Sequence, residues 1–141
     1  MEAKDKELLL KDLCTRLPYG VKCSAEDSII GILSGKANEV SWVILTKENK
    51  YEAVKNIKPY LRPMSSMTEE EKAQMKKLWF DNNRVIFLDP KEIRCYRFYD
   101  SNVVDWLNAH HFDYRGLIEK GLAIEVTKEN NPYKDEKLQK L

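Results

Sequence analysis

Apolar positions recur along this chain with two periods, and each predicts a different kind of element. Over residues 4–17, Leu10, Leu13, Cys14 and Leu17 fall at i, i+3, i+4 and i+7, and Leu8 and Leu9 widen the stripe. That spacing predicts an amphipathic helix with one buried face. Pro18 ends it, because the proline ring disfavours helical geometry in the preceding residue, and Tyr19-Gly20 turns the chain. Over residues 20–61 the period shortens to two. Val21 and Cys23 alternate with polar neighbours. Residues 28–34 carry Ile29, Ile30, Ile32 and Leu33, with Gly31 as a bend or bulge. Residues 40–46 set Val40, Trp42 and Ile44 on one face and Val43 and Leu45 on the other. Ser34-Gly35 and Glu48-Asn49 mark turns, and residues 51–57 form a fourth segment leading into Lys58-Pro59-Tyr60-Leu61. Short strands joined by tight turns predict a small antiparallel barrel-like sheet, with lengths that fit a Src-homology-3-like barrel. An open curved meander covered by the first helix has the same pattern.

The second half changes character. Arg62-Pro63-Met64-Ser65-Ser66 reads as a linker, and Thr68 with Glu71 three residues on forms a capping box opening a second helix. Met75, Leu78 and Trp79 give that helix its apolar face, and Asn82-Asn83 stops it. Residues 84–88 and 93–99 flank the turn Asp89-Pro90 and read as a hairpin. Asp100 or Ser101 caps a third helix reaching about His110. Asp113 is positioned to cap a short fourth helix, residues 114–120, closed by Gly121. Leu122, Ile124 and Val126 then alternate as a last strand, and residues 127–141 form a polar tail expected to be flexible. The fold class expected is α+β. Residues 1–64 would be an N-terminal helix plus a barrel-like unit, 65–126 a helical and hairpin extension packed on it, and 127–141 a tail.

At 141 residues the chain can bury a core without staples or metals. A net charge of +1 provides no overall field toward nucleic acid or an anionic membrane. Three cysteines, Cys14, Cys23 and Cys95, lack CxxC spacing, which argues against a disulfide framework or a thiolate zinc site and for a cytoplasmic protein. The charged start, MEAKDKELLLKD, lacks the apolar run of a signal peptide, and no stretch reaches the length of a membrane span.

Three blocks, LLLKDLCTRLPYGVK, IKPYLRPMSSMTEEEK and DWLNAHHFDYRGLIEKGLAIEV, cover roughly two-fifths of the chain. In these blocks the chain resembles a family of small uncharacterised proteins from gut bacteria of the Bacteroides type and their phages or mobile elements. The resemblance implies a bacterial or phage accessory protein with no assigned activity. It carries over no catalytic or binding residues.

Candidate chemistry gathers in four places. His110 shares a helical face with Trp106, His111 lies on the adjoining face with Leu107, and Asp113 is near enough to orient either imidazole. Adjacent histidines diverge by about 100° on a helix and chelate poorly, and HExxH is absent, so no metal ligands and no cofactor are assigned. Lys47, Lys50, Lys55, Lys58 and Arg62 run beside Trp42, Tyr51 and Tyr60, a composition that stacks bases or protects a strand edge. Arg94, Tyr96, Arg97 and Tyr99 have the composition of an interface hot spot. Asp113-Tyr114-Arg115 resembles an anion-binding helix start whose donors Asp113 can take instead. GxSxG and glycine-rich phosphate loops are absent. The expected function is therefore non-enzymatic binding, with a protein partner favoured. One alternative is capture of an anionic, nucleotide-type small molecule, as in phage anti-defence, by Lys58, Tyr60, Arg62 and Arg115. The other is a metal-dependent hydrolase centred on His110 and His111. Nucleic acid is the weaker partner class, and no membrane partner is expected.

Overall fold

The computed structural model describes residues 2–26, 29–36, 41–45, 50–83 and 101–133. The expected hairpin, with Arg94, Tyr96, Arg97 and Tyr99, lies outside them. The fold is α+β. Helix α1 (Ala3–Arg16) forms where the periodicity puts it, but its buried stripe is Leu9, Asp12, Leu13 and Arg16. Cys14 is exposed, and Leu10 and Leu17 are only half-buried. The expected face is thus rotated about the axis, and half of the buried stripe is charged. The 3-10 turn Leu17–Tyr19 follows, with Gly20 in the left-handed region at φ 68°, where a side chain would clash with the backbone.

Five strands come next: β1 (Lys22–Ser24), β2 (Ile30–Lys36), β3 (Ser41–Leu45), β4 (Lys50–Ala53) and β5 (Lys58–Leu61). Helices α2 (Glu69–Asn83) and α3 (Ser101–Ala109) and strand β6 (Ile124–Glu125) complete the order. The sheet runs β4-β3-β2-β1-β5-β6, antiparallel throughout except for the parallel β5–β6 pair. It is open, with β4 and β6 as its edges among the described residues, so the barrel-like expectation is corrected to an unclosed sheet. The reason lies in β5. Its first half pairs with β1 through Pro59 and Lys58, and its second half leaves β1 to pair with β6 through Tyr60 and Leu61.

The expected bend at Gly31 is also displaced. Gly31 pairs regularly with Cys23, and the irregularity falls between Leu33 and Gly35, leaving Ser34 as the extra residue of a bulge. Ser34-Gly35 is therefore inside β2 rather than a turn, because Gly35 still pairs with Val43.

Two apolar clusters fill the interior. The first joins Leu9 and Leu13 of α1 to Val21, Cys23, Leu33, Trp42, Val54, Ile57 and Leu61, and takes in Leu117, Leu122 and Ala123. The second joins Met64, Met67 and Met75 to Val103, Leu107, Phe112 and Tyr114. Each fully buried aliphatic side chain contributes about 1.5–3 kcal/mol. The supposed linker is accordingly a packed corner, since Met64, which opens a 3-10 turn, and Met67, which closes it, are both buried. The capping box at the start of α2 forms as its spacing demands: Thr68 Oγ1 accepts from Glu71 N–H at 3.1 Å, and Glu71 accepts from Thr68 N–H at 2.9 Å.

Within the polar stretch after residue 126, Tyr133 is buried against the sheet. The β1–β5 register, continued by one residue, sets Lys22 opposite Tyr60. There the strands part, and the Tyr133 hydroxyl fills the gap. It accepts from Lys22 N–H at 2.9 Å and donates to the Tyr60 carbonyl at 2.7 Å. A phenol thus replaces one rung of the ladder at the point where β5 changes partner.

Candidate functional site

The site grows from residues 107–122, where two helix-stop motifs follow each other. At the end of α3, Phe112 N–H bonds the Leu107 carbonyl and His111 N–H bonds the Asn108 carbonyl, the paired bonds of a Schellman stop. His111 takes the left-handed position usually held by glycine, at φ 63°, which costs a side-chain-bearing residue on the order of 1 kcal/mol. The same pairing recurs ten residues on. Leu122 N–H bonds Leu117 O and Gly121 N–H bonds Ile118 O, with Gly121 at φ 73°. The fourth helix is therefore only a capped turn. Asp113 does cap it, accepting from Leu117 N–H at 2.9 Å and Ile118 N–H at 3.0 Å. That double use corrects its other expected role, since both carboxylate oxygens serve backbone donors instead of orienting a histidine.

The two imidazoles part company at the left-handed residue. His110 stacks on Trp106 with centroids 4.2 Å apart, and its Nδ1 lies 2.8 Å from the Trp106 carbonyl. His111 is buried and stacks on Tyr133 at 3.8 Å, while its carbonyl accepts from Arg62 N–H at 2.7 Å. The rings face different aromatic partners and share no arrangement suited to chelation. Among the described residues, no three His, Cys, Asp or Glu side chains come together as a metal set.

Beneath this segment lies a charged cluster. Asp12 is fully buried; its Oδ2 accepts from Arg16 Nε at 2.7 Å and its Oδ1 from Arg115 Nη1 at 3.0 Å. Arg16, also fully buried, donates through Nη2 to the Phe112 carbonyl at 2.6 Å. Arg115 Nη1 also reaches Thr15 Oγ1 at 3.0 Å and the Tyr114 hydroxyl at 3.1 Å. Tyr114 donates to Asn108 Oδ1 at 2.9 Å, and its ring lies under both guanidiniums, 5.1 Å from Arg16 and 4.8 Å from Arg115. A buried ion of either sign needs a partner and saturated hydrogen bonds to be tolerated. Here α1 supplies one charge of each sign and the 112–115 segment supplies a carbonyl, a ring and a second cation.

The expected pocket of Lys58, Tyr60, Arg62 and Arg115 is not assembled as an anion clamp. Arg62 is committed to Glu71, with Nη1–Oε2 and Nη2–Oε1 both at 2.7 Å, and lies 4.1 Å over the Phe112 ring. Burial alone would raise the Glu71 pKa, but the bonds from Arg62 and Thr68 overcome it and hold the carboxyl at about 2. Tyr60 is buried, with its carbonyl taken by Tyr133, whereas Lys58 is exposed. The basic, aromatic run is divided likewise. Trp42 is in the core, Tyr51 is outside, and Lys47 is beyond the described residues. Arg62 does meet the segment that carries His110, His111, Tyr114 and Arg115, through the His111 carbonyl and the Phe112 ring, whereas Tyr60 reaches it through Tyr133, which stacks on His111.

Sequence reasoning missed Asp12, Thr15, Arg16, Tyr19, Asp105, Asn108 and Tyr133. One signal was available: Asp12 and Arg16 stand at i, i+4, the spacing of an intrahelical pair. Tyr19 donates to Asp105 Oδ1 at 2.9 Å, and that bond raises its phenol pKa. The Cys23 thiol is pushed well above its usual range by burial. No helix among the described residues is long and apolar enough to cross a membrane. Set against protein families, curated proteins and solved structures, the chain matches none.

Proposed function

We propose that this protein is a non-enzymatic binding module for a protein partner, and that the partner meets the outward side of β2–β4. One observation carries the reading: among the described residues, large apolar side chains are left in solvent at Ile30 (47% exposed) on β2 and Tyr51 (66% exposed) on β4, with exposed Ile29 just before β2. Strand alternation puts Ile30 and Ile32 on one side, and the register pairs Ile32 with Leu45 and Val43 with Tyr51. That side is opposite the one on which Leu33 and Trp42 enter the core. Strand β4 is an edge among the described residues, and an exposed edge with an apolar flank suits an extended segment added as a further strand. Such a role fits a bacterial or phage accessory protein. The histidines support it indirectly, because both are held by rings and backbone in a helix stop.

A photo-cross-linking residue at position 51, compared with one at exposed Glu70, tests the reading in cells that make the protein. A discrete protein adduct at 51 that is missing at 70, and that disappears when Ile30→Lys is added, is the expected outcome. Equal adducts at both positions, or none at 51, would remove the proposal.

A further inference from the structure

We propose that Arg115 forms a second, independent site that binds a carboxylate or phosphate oxyanion through the Nε/Nη2 edge of its guanidinium. The proposal starts from which donors are already used. All three hydrogen bonds of Arg115 leave from Nη1, to Asp12, Thr15 and Tyr114. Nε and Nη2 have no partner among the described residues, and the side chain keeps 17% of its surface in solvent. These two nitrogens form the side-on fork that matches two oxygens of one carboxylate or phosphate.

The fork is also held in place. Three acceptors on one nitrogen and the Tyr114 face 4.8 Å away fix the plane of the guanidinium before any ligand arrives. A fixed side chain loses less rotamer freedom on binding, so each bond formed contributes more to affinity. An ordinary surface arginine has no such restraint.

Charge and acceptor supply point the same way. Asp12 contributes −1 and Arg16 and Arg115 contribute +1 each, so the cluster carries a net +1. Both Asp12 oxygens are used, and the fully buried Arg16 still has Nη1 without a hydrogen-bond partner. The cluster is rich in donors and short of acceptors. A ligand bringing two anionic oxygens to the open edge supplies what is missing, in a setting where a charge-assisted bond is about twice as strong as a neutral one.

The test follows the Arg115 Nε–H resonance in the full chain during titration with acetate or inorganic phosphate, with chloride holding ionic strength constant. Saturable shifts at Arg115 Nε–H and at the Thr15 amide, with Arg62 Nε–H unmoved, are expected. Whichever anion saturates at lower concentration distinguishes a carboxylate site from a phosphate site. Arg115→Lys keeps the charge on Asp12 but loses the fork, and should abolish the saturable response while the amide spectrum remains that of the folded protein. Thr15→Val keeps the guanidinium but loosens it, and should weaken binding severalfold. A linear shift shared with chloride would mean an adventitious ion only and would overturn the proposal. So would a saturable response that survives Arg115→Lys unchanged.

Discussion

Asp12 is out of contact with solvent and gives both carboxylate oxygens to arginines, whereas Tyr51 sits on an edge strand with two-thirds of its surface exposed. The two residues represent regions built on different terms. Around Asp12, three chain segments contribute: α1, the end of α3 and the 112–115 stretch. Asp12, Arg16, Thr15, Tyr114 and Asn108 answer one another there, so a change to one strands another, although Arg16 Nη1 has no hydrogen-bond partner among the described residues. On the outward side of β2–β4 the exposed apolar groups answer nothing within the described residues. The first region joins distant segments of the fold, and the second is the surface on which the proposed protein partner would dock. Around residues 107–115 the arginine, tyrosine and histidine side chains are used largely within the fold, as Arg16, Tyr114 and His111 show.

The largest effect should come from Asp12→Ala, which leaves Arg16 buried without its counter-ion. We expect a loss of about 3–5 kcal/mol in urea unfolding. Replacing the pair together, Asp12→Leu with Arg16→Met, should cost markedly less. Equal losses in the two variants would mean that the ion pair is not what holds this seam.

Next in size is Tyr133→Phe. Removing one oxygen strands the Lys22 N–H and the Tyr60 carbonyl in a buried place, for an expected loss of about 1–3 kcal/mol. Hydrogen exchange at the Lys22 amide should quicken by more than that of the Cys23 amide beside it. Unchanged protection would show that the phenol is not a rung of the ladder.

A smaller effect is tied to pH. The Glu71 pKa is depressed in the folded state, to about 2 from an ordinary 4.5. The unfolded chain therefore takes up the proton first as pH falls. The stabilisation is complete above about pH 4.5 and is lost as pH drops from there toward about 2. Partial exposure of the pair limits it to on the order of 1–2 kcal/mol. In Glu71→Gln this part of the acid dependence should be missing, as read from melting temperatures between pH 2 and 5. A wild-type slope retained in that variant would assign the acid sensitivity to another carboxylate.

The smallest stability change is expected from Tyr51→Ala, within about 0.5 kcal/mol of the parent. A loss of 2 kcal/mol or more would place Tyr51 with the structural region after all.

Local pattern made several elements legible. The apolar spacing located α1, alternation located the strands around Val21 and Trp42, and Thr68 with Glu71 announced the start of α2, whereas the segment expected over 51–57 is strand only to Ala53 and β5 follows it. Gly121 is legible as a left-handed stop, because only backbone conformation within a few residues is involved. The rotated face of α1 shows where such reading ends. Leucines at 10 and 17 look as suited to a core as those at 9 and 13, and nothing near residue 12 signals that a segment a hundred positions away will cover it. Tyr133 is similar: one ring in a polar stretch reads as tail until the gap between β1 and β5 is seen.

The sequence by itself determined the class of the fold, the order of most helices and strands, and the absence of familiar catalytic spacing. These follow from interactions spanning a few residues, whose period is written in the chain. Only the tertiary structure decided that the sheet stays open, that Asp12 and Arg16 are internal, that the histidines face separate rings, and that one edge of Arg115 has no partner among the described residues. Each of those depends on which distant segment supplies the partner for a charge, a ring or a backbone donor. Burial makes that partner obligatory, but local pattern carries no record of where in the chain it lies.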